Sequence, residues 1–231
     1  MICDVEKIRQ GLAEHNPLKN SQVRKRASVL IPILESEGET YLMLTRRSIE
    51  MRSHPGQVSF PGGKQDRDDE CSMHTALRET NEEIGLPEKK VDVIGMLDQI
   101  LSLHYYLVTP YVGLIPSDFV PIPNIEEIES VFKVPLSFFM KSDNHWSEEK
   151  KASPFPLIVH HFEYQGYDIW GLTAKLIFRL LEVGLGYVPD FPVHHPDSPT
   201  WMEYTLEFSG EELGIESEML RNSEKRNLNR Q

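Results

Sequence analysis

The sequence predicts an α+β protein built around one core, and three observations carry that expectation. Short apolar, β-prone runs recur at 27–34, 40–45, 91–97 and 107–115. Two segments, 69–84 and 173–183, instead space their apolar residues as helices do. The two kinds of segment do not alternate as regular strand–helix–strand units, which argues against a purely parallel sheet. A length of 231 residues suits one domain with extensions.

Taken in order, a short helix is expected around 5–13, followed by a polar link that ends in Arg24, Lys25 and Arg26. The runs at 27–34 and 40–45 are split by a hairpin-like connection, 35–39. Residues 46–63 read as a long loop with a short strand near 58–60. The helix at 69–84 is stopped by Gly85 and Pro87. Strands are expected at 91–97, 107–115, 131–134 and 157–164, and Gln165-Gly166 turns into a last one at 167–170. The helix at 173–183 carries Leu176, Ile177, Leu180 and Leu181 on one stripe. From Asp190 onward the pattern decays into an acidic tail, nine acids against four bases. This divides the chain into an extension at 1–24, a folded unit at 25–185 and a tail at 186–231.

Acids outnumber bases by 36 to 24, for a net charge of −12. Such a chain is repelled by a nucleic-acid backbone or an anionic membrane, so neither is expected as a partner. Two cysteines, Cys3 and Cys71, make neither a disulfide framework nor a cysteine-rich zinc site. No stretch is apolar enough to span a bilayer. Asp4 and Glu6 stand where a secretory or transit leader would be free of acids, so a cytoplasmic location is expected.

The chemistry concentrates in the helix that follows Gly62 and Gly63. Residues three and four apart share a helix face, so Glu79, Glu82 and Glu83 project together. Three carboxylates so placed repel by a few tenths of a kcal/mol per pair, and a bridging cation reverses that sign. Oxygen ligands at this density suit Mg²⁺ or Mn²⁺ rather than zinc. A bare Glu-x-x-Glu-Glu is commonly just a solvated face. Here the surrounding pattern changes the balance.

Glu70, Arg78, Glu79, Glu82, Glu83, Gly85 and Leu86 stand at the spacing Glu-x7-Arg-Glu-U-x-Glu-Glu-x-Gly-U, where U is a bulky aliphatic. The segment resembles the Nudix box. Two departures are visible: six residues rather than five separate Gly63 from Glu70, and Thr80 occupies an aliphatic position. The first leaves open whether Asp69 or Glu70 is the leading acid. The resemblance implies the Nudix fold, an α/β/α sandwich on a mixed β-sheet, and Mg²⁺- or Mn²⁺-dependent hydrolysis of a substituted diphosphate. Glu79 and Glu83 are the expected metal ligands, and Glu82 is either a third ligand or the catalytic base. Glu127 is a further possible base. Glu70, Arg78 and Gly85 then have structural roles, with Arg78 orienting a carboxylate.

Between Arg46 and Lys64 four bases and His54 face a single acid, Glu50, a local positive island that suits phosphate recognition. Thr45, Arg47, Ser48, Arg52, Gly56, Phe60, Pro61, Gly62 and Gly63 fit Leu-Leu-Thr-x-Arg-Ser/Ala-x3-Arg-x3-Gly-x3-Phe-Pro-Gly-Gly, with Met43 for the first leucine. This stretch resembles the motif of Nudix coenzyme A diphosphatases. It implies coenzyme A as substrate, 3′,5′-ADP and 4′-phosphopantetheine as products, and Arg47, Arg52, Gly62, Gly63 and Lys64 as substrate-side residues. Two alternatives remain: a Nudix hydrolase of NADH, ADP-ribose or a similar compound, and a nucleotide sensor without turnover. Intact glutamates speak against the sensor.

Weaker signals are expected to be structural. His160 and His161 should point to opposite sides of a strand, one of them to solvent. Cys71 reads as packing. His104, Tyr105 and Tyr106 sit where a base could be gripped.

Overall fold

The run around Leu30 and Ile33 forms the centre of the molecule, in a computed structural model that describes residues 4–20, 23, 25–102, 106–151 and 156–193. Strand β1 (Arg26–Ser36) turns at Glu37-Gly38 into β2 (Glu39–Arg47). Then come β3 (Val58–Ser59), β4 (Gly62–Lys64), β5 (Asp92–Met96), β6 (Ile100–Leu101), β7 (Leu107–Leu114) and β8 (Ile128–Pro135). The principal sheet runs β3-β2-β1-β7-β5, with β4 paired to β1, β6 to β7 and β8 to β2. Its β1–β7 pair is parallel and the others are antiparallel, so the sheet is mixed as expected.

Period-two alternation sends side chains to both faces of this sheet, and both faces are covered. Leu30, Leu34 and Met43 pack with Ala76, Ile84 and Leu86 around helix α2 (Ser72–Ile84). Ile31, Ile33, Leu42 and Leu44 pack on the other face, in a core shared with α1 (Val5–Glu14) and α3 (Gly171–Leu185). Burial on both faces is why these strands read as apolar runs rather than alternating ones. The α/β/α sandwich is therefore present. Val5, Ile8 and Leu12 of α1 lie in the same core as Leu176, Ile177 and Leu180 of α3.

A second, antiparallel sheet of β9 (His145–Lys151), β10 (Pro156–Tyr164) and β11 (Tyr167–Trp170) leads into α3. Here one expectation is corrected: His160 and His161 are both buried. His160 bonds His145 and the Val193 carbonyl, while His161 is stacked between Trp146 and Trp170 and bonds Asp168. Side chains on the neighbouring strands cover the ring that alternation turned outward. His104 and Tyr105 lie outside the described residues.

Helix α2 begins at Ser72, three residues later than expected, because Asp69 is engaged before the helix starts. It ends on Gly85 in the left-handed conformation, φ 71°. Its last carbonyls are met by a returning loop, with Ile122 N donating to Ile84 O at 2.8 Å and Asn124 N to Glu83 O at 2.9 Å. Cys71, expected to pack, is instead exposed at the N-terminus of the helix.

Candidate active site

The site is the seam between α2 and β4. Gly62 and Gly63 pair with Val29 and Ser28 of β1, which holds the glycine turn flat beneath the helix. The Gly62 N–H donates to Glu83 Oε2 at 3.1 Å. A Cβ on Gly63 would stand 2.4 Å from the Glu79 carboxyl carbon, so any other residue there would displace that carboxylate from its position. Gly62 has φ 149°, and a Cβ there would meet Ser28 O at 2.3 Å. Gly63 thus borders one of the two carboxylates expected to hold metal, and the Gly62 N–H meets the other.

These two carboxylates share an electrostatic environment. Burial pushes the Glu83 carboxyl up to about 8, with repulsion from Glu79 and Glu127 adding to it and the Gly62 N–H and Arg47 opposing it. Burial also raises Glu79, against the pull of Arg78, and Glu82 and Glu127 add to the rise. A desolvated, mutually repelling oxygen set fits a hard divalent cation, whose charge would remove both penalties. Among the described residues no three His, Cys, Asp or Glu side chains already form a closed cation cage. The Glu82 side chain is 56% exposed and turned to Arg78 Nη1 at 3.0 Å.

Arg78 organises the edge of the site. Its Nε and Nη2 grip both oxygens of Asp69, at 2.8 and 3.0 Å, and Nη2 also reaches Glu79 Oε1 at 3.0 Å. Asp69 accepts further bonds from Thr75 Oγ1 and Asp66 N, and these contacts hold its carboxyl well below the usual carboxylate range. Glu70 is exposed. Asp69 is therefore the acid that partners Arg78; five residues separate it from Gly63, and the extra residue falls between it and Arg78.

Of the substrate-side residues, Arg47 and Gly62 are both directed at Glu83, Arg47 through Nη1 at 3.6 Å. Gly63 borders Glu79. Arg52 and Lys64 are exposed, and the Lys64 ammonium lies 5.5 Å from the centre of the Tyr106 ring. The positive island is partly neutralised, since Arg46 pairs with Glu129 at 3.3 Å. Glu127 is attached where Ser48 N donates to its carbonyl at 2.8 Å, and its charge acts on both Glu79 and Glu83.

Fold and site together match a known family. The NUDIX domain model covers residues 24–151, and the chain belongs to the Nudix hydrolase family. Members of this family generally need divalent metal ions. The chain is 41% identical to Nudix hydrolase 15, mitochondrial, of Arabidopsis thaliana, over 72% of this chain and 61% of that one. It is 40% identical to the uncharacterized Nudix hydrolase NudL of Photorhabdus laumondii, over 72% and 88%. It is 38% identical to peroxisomal coenzyme A diphosphatase NUDT7 of Mus musculus, over 72% and 75%. The match thus spans about three fifths of the Arabidopsis protein and more of the other two.

Proposed function

We propose that this protein hydrolyses the diphosphate linkage of coenzyme A, with Mg²⁺ or Mn²⁺ held by Glu79 and Glu83. One observation carries the reading. The segment from Thr45 to Gly63 begins and ends on those carboxylates, since Arg47 and Gly62 meet Glu83 and Gly63 borders Glu79. The coenzyme A motif and the Nudix box therefore form one site. The name of the mouse relative supports the substrate.

When bound, the divalent cation neutralises diphosphate oxygens and acidifies a water. Glu79 and Glu83 supply its oxygen ligands, and Arg78 orients Glu79. Glu82, accessible to solvent beside Arg78, takes the proton from the attacking water. The P–O–P bridge then breaks, the water oxygen joins one phosphorus, and the bridging oxygen leaves with the other. The products are 3′,5′-ADP and 4′-phosphopantetheine. Arg52 and Lys64, exposed at the rim, bind phosphate groups.

A second reading has the same chemistry act on NADH or ADP-ribose. Product analysis after incubation with Mg²⁺ and coenzyme A, NADH, ADP-ribose or a dinucleoside polyphosphate separates the two. Faster turnover of NADH or ADP-ribose than of coenzyme A would end the first. Cytoplasmic residence belongs to this reading as well, although the Arabidopsis and mouse relatives bear organellar names. Among the described residues no helix is long and apolar enough to cross a membrane. Imaging of the tagged full chain tests the location.

A further inference from the structure

We infer that Arg47 is a positioning residue for the Glu83 carboxylate and does not itself contact substrate phosphates. This rests on the reading that Glu83 holds a divalent cation, and it reverses the role that the loop's charge suggests for this arginine.

The geometry begins with β2. Arg46 and Arg47 are adjacent on a strand, so their side chains take opposite sides. Arg46 goes outward to Glu129, with side chains 37% and 44% exposed. Arg47 goes inward to Glu83, with side chains 18% and 3% exposed. The pairing of β2 with β8 shifts register between these two residues, and the extra residue is Glu129 of β8, so β2 keeps its alternation. The Arg47 backbone is fixed on both sides, with its N–H on the Gln57 carbonyl at 2.9 Å and the next N–H, Ser48, on Glu127 at 2.8 Å. Its Nε is buried with no hydrogen-bond partner among the described residues, so that donor is closed to a ligand arriving from solvent.

Glu83 is consequently held from two sides, by the Gly62 N–H at Oε2 and by the guanidinium at Oε1. Neighbours that orient a metal-binding carboxylate typically change metal affinity or activity by about 10–100-fold when removed. A guanidinium that reads substrate would instead act on KM. The exposed Arg52 is free to take that task, and the two motif arginines thus divide their work.

The test uses Mn²⁺ alone as the probe, titrated into the full chain without substrate and followed by electron paramagnetic resonance. Arg47→Met keeps the side-chain stem and removes the fork. We expect Mn²⁺ affinity and kcat each to fall by about tenfold or more, with KM for the diphosphate unchanged. On a Glu83→Gln background the same substitution should cost no further Mn²⁺ affinity. Unchanged Mn²⁺ affinity with a raised KM would overturn the inference, as would equal losses on both backgrounds. Tighter Mn²⁺ binding would also overturn it, since the guanidinium would then merely compete with the cation. Should Arg47→Met fail to fold, Arg47→Gln carries the test: it keeps a polar side chain and removes the charge that faces Glu83, and wild-type Mn²⁺ affinity in that variant would refute positioning. A protein that gives these Mn²⁺ results but no turnover of coenzyme A would retain the role of Arg47 and lose only the substrate reading.

Discussion

Arg78 holds Asp69 with two parallel hydrogen bonds, Nε to Oδ1 at 2.8 Å and Nη2 to Oδ2 at 3.0 Å, and this pair fastens the entering loop to α2. A bidentate pair with Asp69 at 2% side-chain exposure is of the kind whose rupture leaves an uncompensated buried charge. Asp69→Asn should therefore cost about 3 kcal/mol in stability, whereas Glu70→Gln, at an exposed position, should stay within about 0.5 kcal/mol. Urea unfolding of both variants checks this. The sign with pH follows from the depressed carboxyl. The pair's contribution is present above the ordinary value of 3.8 and is lost as pH falls below it, so wild type should lose its margin over Asp69→Asn in acid. Equal stabilities of the two variants at pH 7 would return the role to Glu70.

Glu79→Gln and Glu83→Gln keep shape and helix propensity and each remove the charge of one proposed ligand. Each should lower kcat by orders of magnitude at saturating Mg²⁺ while thermal unfolding stays cooperative. Glu82→Gln and Glu127→Gln discriminate the base. If Glu82 takes the proton, its loss should reduce kcat far more than Mn²⁺ affinity, with Glu127→Gln milder. The reverse order would assign the step to Glu127, whose charge already reaches both ligands.

The raised carboxyl of Glu83 predicts proton release on metal binding. Without a cation it is half protonated near pH 8, so metal must displace a proton at neutral pH. Mn²⁺ affinity should rise with pH and level off above about 8. Calorimetry in buffers of different ionisation enthalpy should find close to one proton released at pH 7 and few above pH 9. Stability of the metal-free protein has the opposite dependence. The folded value lies above the ordinary 4.5, so the fold binds more protons than the unfolded chain, and stability declines from about pH 4.5 to about pH 8. A pH-independent Mn²⁺ affinity from pH 6 to 9 would exclude this account.

The parts of this molecule that rest on periodicity were legible before its structure. Helices α2 and α3 and the central strands follow from residues that meet close neighbours or a uniformly apolar environment. Strand β9 was not, because Ser147, Glu148, Glu149 and Lys150 offer no apolar alternation and are a strand only through pairing with β10. The start of α2 was misplaced because Asp69 bonds Arg78 nine residues on, a contact that outweighs its own helical spacing. In the site, the carboxylates were legible by their helical spacing. The pairing of Arg47 with Glu83 was not, since it joins β2 to α2 through tertiary packing alone. The burial of His161 likewise depends on tryptophans from two other strands.

On the proposed division of work, Arg52 is the motif arginine that meets substrate. It is exposed on the loop between β2 and β3, and that loop returns through β4 to the carboxylates. A charge-assisted hydrogen bond to a phosphate contributes about 1.5–3 kcal/mol. Arg52→Ala should thus lower kcat/KM for coenzyme A by about tenfold or more, at 1.4 kcal/mol per factor of ten. Dephospho-coenzyme A lacks the 3′-phosphate and distinguishes the contacted group. If Arg52 binds that phosphate, the substitution should cost little with the truncated substrate, and the ratio of the two kcat/KM values should collapse. Equal losses on both substrates would place Arg52 on the diphosphate. No loss on either would make Arg52 part of a solvated basic turn and leave Lys64 as the cation to examine at the rim.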